Sequence, residues 1–288
     1  EPDNESPEIA FGLLLRELNV AKPEAEIQLI KKAFEFAKDA YKGQLRKDGI
    51  TPAIIHPIRA AHILLQEFGI NDEKVIAAAI LHDVPEDTDK TIKDIEGEFD
   101  PDIAQKVRLL TKPTKDEVPS EQERNRAYFQ NLSDSPQDVQ LIKVADRMDN
   151  LRDLRSLPGL ESQQAYLRKT REYFIPFLLN SSRIPKEIKD KALAELRNFP
   201  ELAEIIPING QPVSSVTMSF PMEFRGRLGR RMEISALTIE EALDILEQKR
   251  PGVKQEILQG YNVLIDGRPT TDLSTSLKGV AQLSFSKK

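Results

Sequence analysis

Two periods of hydrophobicity divide the chain. Up to about residue 200, apolar positions recur three and four apart, the spacing of a buried helix face. Ile27, Ile30, Phe34 and Ala37 set this pattern in a helix predicted from Pro23 and Glu24 to about Tyr41, with Gly43 as its stop. Further helices are predicted near 57–68, 72–81, 101–111, 119–131, 137–155, 160–180 and 185–198. The VIAAAIL stretch of the 72–81 helix has no polar face and should be fully buried. Gln44–Ile55, with Gly49 and Pro52, reads as a loop, and no strand is expected before residue 210.

After residue 200 the period shortens. Short β-branched runs, separated by Gly and Pro, predict strands at Val213–Phe220, Arg231–Ser235, Tyr261–Ile265 and Ala281–Phe285. One helix, Thr238–Lys249, opens with Thr238 as cap and Glu241 three residues on, a capping-box pattern. The expected organisation is an all-helical domain over 1–200, a linker over 201–212 rich in Pro and Gly, and a small α+β domain of β-grasp order over 213–288.

Composition narrows the class. The chain has 288 residues, 39% hydrophobic and 31% charged, which suits a soluble globular protein. No apolar run approaches the ~18 residues of a membrane helix, and the acidic first residues carry no secretory signal core. The absence of cysteine excludes disulfides, thiolate metal sites and cysteine nucleophiles, and fits a cytoplasmic location. Charge is uneven: residues 1–210 carry 30 Lys+Arg against 38 Asp+Glu, a net of −8, whereas 211–288 carry 11 against 9, a net of +2. An acidic main domain argues against bulk nucleic-acid binding but leaves room for a small phosphorylated substrate held by a few cations.

The candidate chemistry gathers around few residues. Of three histidines, His82 is followed by Asp83 at the end of the apolar helix, where two adjacent side chains can converge on an ion; His56 opens another helix, and Asp146 lies on a later one. Two imidazoles and two carboxylates make a mixed N/O set that suits Mn²⁺, Fe²⁺, Co²⁺ or Zn²⁺ better than Ca²⁺. Taken singly, each has a plainer reading: a surface His–Asp pair, a packed histidine, an Asp146 paired with Arg147 or Arg152. Glu86 and Asp87, three and four residues past Asp83, can take a proton from a metal-bound water or can simply favour a following helix dipole. Lys143, Asp146, Asn150 and Asp153 line one helix face, partly buried by the apolar residues around them.

HPIRAAHIL, LHDVPEDT and KVADRMDNLRDL, in this order, resemble the hydrolase domain of the RelA/SpoT proteins, and most of all the small stand-alone alarmone hydrolases. The loop QLRKDGITPAIIHP resembles that family's substrate loop, and the likeness spans roughly residues 24–180. The resemblance implies an all-helical HD-domain bundle with His56, His82, Asp83 and Asp146 as metal ligands, usually for Mn²⁺, and Glu86 and Asp87 as the acids flanking the water. It implies hydrolysis of the 3′-diphosphate of guanosine tetra- or pentaphosphate, with release of pyrophosphate. Arg46, Lys47, Lys143 and Asn150 match substrate contacts, and Lys112 and Arg126 match phosphate-binding positions through a looser alignment. Pro85 departs from the family pattern and, lacking an N–H, is the place to expect a reshaped turn.

Nothing in residues 181–288 resembles the synthetase domain of long family members, so hydrolysis without synthesis is expected. ALTIEEALDILEQKRPGV and NVLIDGRP resemble the ThiS/MoaD branch of β-grasp proteins, with the TGS module as the competing match. A terminus reading LSFSKK lacks the Gly-Gly of a sulfur carrier, so a protein or small-ligand partner is expected for this module. Competing functions are a hydrolase of another nucleotide, such as the 2′-phosphate of NADPH or an adenosine alarmone, and a regulatory protein acting through the β-grasp module.

Overall fold

The computed structural model describes residues 6–18, 24–154, 159–203, 206, 215–228, 230–235, 239–275, 277 and 282–288. In chain order its helices begin with α1 (Pro7–Leu18), α2 (Glu24–Ala40), α3 (Ile55–His62), α4 (Glu73–Leu81), α5 (Val84–Asp87), α6 (Ile92–Glu98) and α7 (Pro101–Leu110). They continue with α8 (Glu121–Asp134), α9 (Gln137–Asp153), α10 (Leu160–Lys169), α11 (Ile175–Asn180), α12 (Lys186–Arg197) and α13 (Pro200–Ala203). The remainder is β1 (Ser215–Ser219), α14 (Met222–Leu228), β2 (Arg231–Ser235), α15 (Ile239–Lys249), α16 (Val253–Gly260), β3 (Tyr261–Ile265), β4 (Arg268–Thr270) and β5 (Gln282–Lys287).

The chain divides into two compact units, one of residues 1–169 and 181–195, the other of 170–180 and 196–288. This differs from a boundary at residue 200: α11 packs against β2 and so groups with the sheet. Most of the expected linker, together with Pro23 and Thr238, lies outside the described residues.

The first unit is helical, and α4 is its centre. Asp72 caps it, accepting from the N–H groups of Lys74 and Val75 at 2.9 and 3.0 Å. Val75–Leu81 is buried throughout, as its unbroken apolar run requires. Three consecutive alanines keep this helix slim, so α2, α3, α7 and α9 all pack on it. The unpredicted α6 has a capping box formed by Thr91 and Asp94, a helix too short to show a periodic face. The predicted 57–68 helix begins earlier, at Ile55, and runs on past His62 as a wider π-type turn. The only pairing of strand type described before residue 210 is a single bridge between Leu45 and Pro52, which closes the 44–52 loop.

The second unit holds a five-stranded sheet in the order β2-β1-β5-β3-β4. β1 runs parallel to β5 and antiparallel to β2, and β3 pairs antiparallel with both β4 and β5. This is the β-grasp arrangement. Its core gathers Met218, Phe224, Ile234, Leu243, Leu246, Ile257 and Leu283. The β3–β4 turn is Asp266-Gly267, both with positive φ (45° and 83°), the two-residue hairpin chemistry that matches strand twist. The α14 helix between β1 and β2, the α16 helix and the three-residue β4 were not anticipated from periodicity.

Candidate metal centre and adjoining cleft

Helices α3, α4 and α9 and the start of α5 bring the predicted ligands to one point. His56 stands in the first turn of α3, His82 caps the C-terminus of α4, Asp83 follows at the start of α5, and Asp146 lies mid-way along α9. Each offers one ligand atom, and these atoms all lie within 4.8 Å of one another. His56, His82 and Asp146 are 4%, 1% and 4% exposed, and Asp83 is half-buried. The helix end thus lets the adjacent His82 and Asp83 converge, 3.2 Å apart.

Hydrogen bonds fix the direction of both rings. His82 Nδ1 lies 2.7 Å from the Ala79 carbonyl, so Nδ1 is the donor and Nε2 faces inward. That Nε2 lies 3.2 Å from Asp83 and 3.8 Å from Asp146, yet it is buried and finds no hydrogen-bond partner among the described residues. His56 Nε2 lies 3.1 Å from Asp146 and 3.4 Å from Asp83. On its other side His56 Nδ1 is 2.7 Å from Asp149, a residue that sequence reasoning did not single out. Asp149 lies three residues past Asp146, a spacing that could have drawn attention to it.

The electrostatics call for positive charge at the centre. Burial works against a charged His82, but Asp83 and Asp146 outweigh it and push the imidazole up to about 10. Burial likewise opposes the Asp146 charge, yet Lys143 and the two imidazoles hold its carboxyl well below the usual range. Lys143 Nζ is 2.6 Å from Asp146 Oδ2, while Asn150 Nδ2 donates to Oδ1 at 2.6 Å. An orphaned ring nitrogen facing carboxylates, within a compact N/O donor set, fits a divalent transition metal.

Glu86 and Asp87 stand beside the cluster. Pro85 occupies the first turn of α5, where no N–H is needed, and the N–H groups of Glu86 and Asp87 still reach the Asp83 carbonyl at 3.1 and 2.9 Å. Pro85 thus takes neither of these two hydrogen bonds from the turn. Glu86 remains exposed at the rim, but its carboxyl is hemmed in from behind. That crowding and the Asp83 charge push it up to about 7, against the pull of the Lys112 main-chain N–H. This N–H donates to Glu86 Oε1 at 2.7 Å and leaves Oε2 unclaimed by that bond. Crowding and the same charge also raise Asp87.

A cleft of about 530 Å³ opens over the cluster, and His56, Asp83, Glu86 and Asp87 contribute to its wall. Arg46, Lys47 and Asn150, three of the expected substrate contacts, also line it. Arg46 donates to Asn150 at 3.1 Å and pairs with Asp153 at 3.2 Å, and Asp153 also pairs with Arg59 at 3.0 Å. Lys112, Arg126 and Lys143 are not among the described lining residues. Lys143 is turned to Asp146 and lies 5.1 Å from the centre of the Tyr128 ring. Lys112 meets the site through its main chain, and Arg126 is half-buried on α8. Tyr41 and Tyr166, aromatic walls of the cleft, were not singled out in the sequence.

The region that carries these residues is similar to known proteins. A family model of the HD domain matches residues 33–180. A guanosine-3′,5′-bis(diphosphate) 3′-pyrophosphohydrolase, MESH1 of Xenopus tropicalis, is 38% identical over 152 residues, covering 52% of this chain and 81% of that protein. The guanosine-3′,5′-bis(diphosphate) 3′-pyrophosphohydrolase of Aquifex aeolicus is 37% identical over 175 residues, 60% of this chain but 24% of that longer protein. The solved structure of a metazoan ortholog of SpoT, described as hydrolysing ppGpp and playing a role in starvation responses, superposes with a TM-score of 0.54 at 32% identity. The match covers 63% of this chain and 99% of the other. With its paired His82-Asp83 meeting His56 and Asp146 at one buried point, the chain belongs to the HD-domain family.

Proposed function

We propose that this chain is a Mn²⁺-dependent hydrolase of guanosine tetra- and pentaphosphate that removes the 3′-diphosphate. The observation that carries the reading is the convergence of His56, His82, Asp83 and Asp146 beneath a cleft that also presents Glu86 and Arg46. Relatives that match this region are named for the same reaction. The HD-domain family implies a divalent metal, and two nitrogen and two oxygen donors suit Mn²⁺. When bound, such a cation supplies Lewis acidity, screening the diphosphate charge and lowering the pKa of a water.

The chain's own residues perform the rest. Glu86, with Oε1 tied to the Lys112 N–H, accepts the proton of the attacking water, and Asp87 flanks it. The water oxygen joins the phosphorus attached to the 3′ oxygen, the P–O3′ bond breaks, pyrophosphate departs, and O3′ takes up the proton that Glu86 accepted to become the 3′ hydroxyl. Arg46 and Lys47 meet the phosphates and Asn150 orients Arg46, while Lys143 balances the Asp146 charge. Tyr41 and Tyr166 offer apolar walls to a nucleoside.

The test is to incubate the Mn²⁺-loaded protein with guanosine tetraphosphate, NADPH and an adenosine alarmone, and to identify the products. GDP and pyrophosphate from the first are expected. No turnover of it, beside a control hydrolase that works, overturns the reading. A preference for NADPH would reassign the substrate.

A further inference from the structure

His56 enters the cluster through one ring nitrogen only. Its Nε2 faces Asp146 and Asp83, and its Nδ1 points away, 2.7 Å from Oδ2 of Asp149. Asp146 and Asp149 are three residues apart on α9, so they share a helix face and hold the ring between them. Asp149 is 3% exposed and stands beside a His56 that is 4% exposed. An ionised carboxylate has no proton to give, so the hydrogen in this contact belongs to Nδ1. The Nε2 lone pair is thereby aimed at the centre of the cluster. His82 achieves the same direction with a neutral partner, the Ala79 carbonyl. The two rings thus differ in the charge of what stands behind them.

We infer that Asp149 is a positioning residue of the metal centre, fixing the tautomer and orientation of His56 and strengthening its Nε2 as a ligand. The inference rests on the reading of the four-residue cluster as a metal centre. A carboxylate behind a metal-bound imidazole raises ligand basicity, and loss of such a partner typically weakens metal affinity by about 10–100-fold. Nothing comparable follows if Asp149 merely fills space in α9.

The test titrates metal-free wild type, D149A and D149N with Mn²⁺ alone, by calorimetry. It also records ring ¹H–¹⁵N spectra of the Zn²⁺-loaded proteins. With three histidines in the chain, the ring signals are few enough to assign. Affinity should fall on the order of 10–100-fold in D149A and less in D149N, whose amide oxygen is a neutral acceptor of the same shape. The His56 Nδ1–H proton, far downfield in wild type, should move upfield in D149N and be lost to exchange in D149A, while the His82 signal stays in place. Turnover lost by D149A at limiting Mn²⁺ should return at saturating Mn²⁺. Wild-type affinity in both variants, with an unmoved His56 signal, overturns the role of Asp149. A wild type that takes up no Mn²⁺ overturns the metal-centre reading itself, and the wild-type titration tells the two failures apart.

Discussion

The buried ligand cluster and the cationic mouth of the cleft lie side by side but are built by different means. His56, His82 and Asp146 ride on α3, α4 and α9, which pack on one another through buried apolar residues. Their positions are set by the core. Arg46 and Lys47 belong to the 44–52 loop, closed by the lone Leu45–Pro52 bridge and pinned by Arg46 to Asn150 and Asp153. The cluster thus rests on packed helices and the cationic mouth on a loop, so each should be alterable with little effect on the other.

Four substitutions or conditions press on that division, in descending order of expected effect. Asp146→Asn should abolish Mn²⁺ uptake and bring turnover to background, measured by bound-metal stoichiometry and product formation. Normal metal content in this variant would move the centre elsewhere. Glu86→Gln should keep the metal but lower kcat by about 10²–10⁴-fold, because the water loses its base. Full turnover would remove Glu86 from that role.

Arg46→Ala should raise KM about 10–100-fold, the worth of a charge-assisted contact, with metal affinity unchanged. A fall in metal affinity would show that loop and cluster are one unit after all. The mildest effect concerns pH. Glu86 serves as a base only when ionised, and its carboxyl is pushed up to about 7. Wild-type turnover should therefore climb as pH rises toward 7 and level above it, with a bound cation drawing the limb to lower pH. The limb should be missing from the residual rate of Glu86→Gln. A wild-type profile flat from pH 5 to 8 would contradict a titrating Glu86.

The cluster was legible because its ligands sit where local rules speak. An apolar helix ending at His82-Asp83 and a row of polar residues on one face of α9 are both visible in a linear pattern. Their convergence was visible only through the ordered motifs, since spacing along one helix carries no distance to another. Asp149 escaped notice because its partner is 93 residues away and its neighbours in α9 read as core. Lys143 read as a substrate cation on the same helix face as Asp146, and its Nζ lies 2.6 Å from that carboxylate. Pro85 looked disruptive only while α5 was invisible; a helix of four residues has no period to detect. In the second unit the short β-branched runs predicted β1, β2, β3 and β5, whereas β4 exists because the Asp266-Gly267 turn folds the chain back on β3.

The bond from residue 112 to Glu86 is made by the main chain. A main-chain donor is indifferent to the side chain it carries, proline excepted. Position 112 can therefore change in size, charge or shape while the carboxylate stays aimed. Substitution there can reshape the surface beside Glu86 while that hydrogen bond persists.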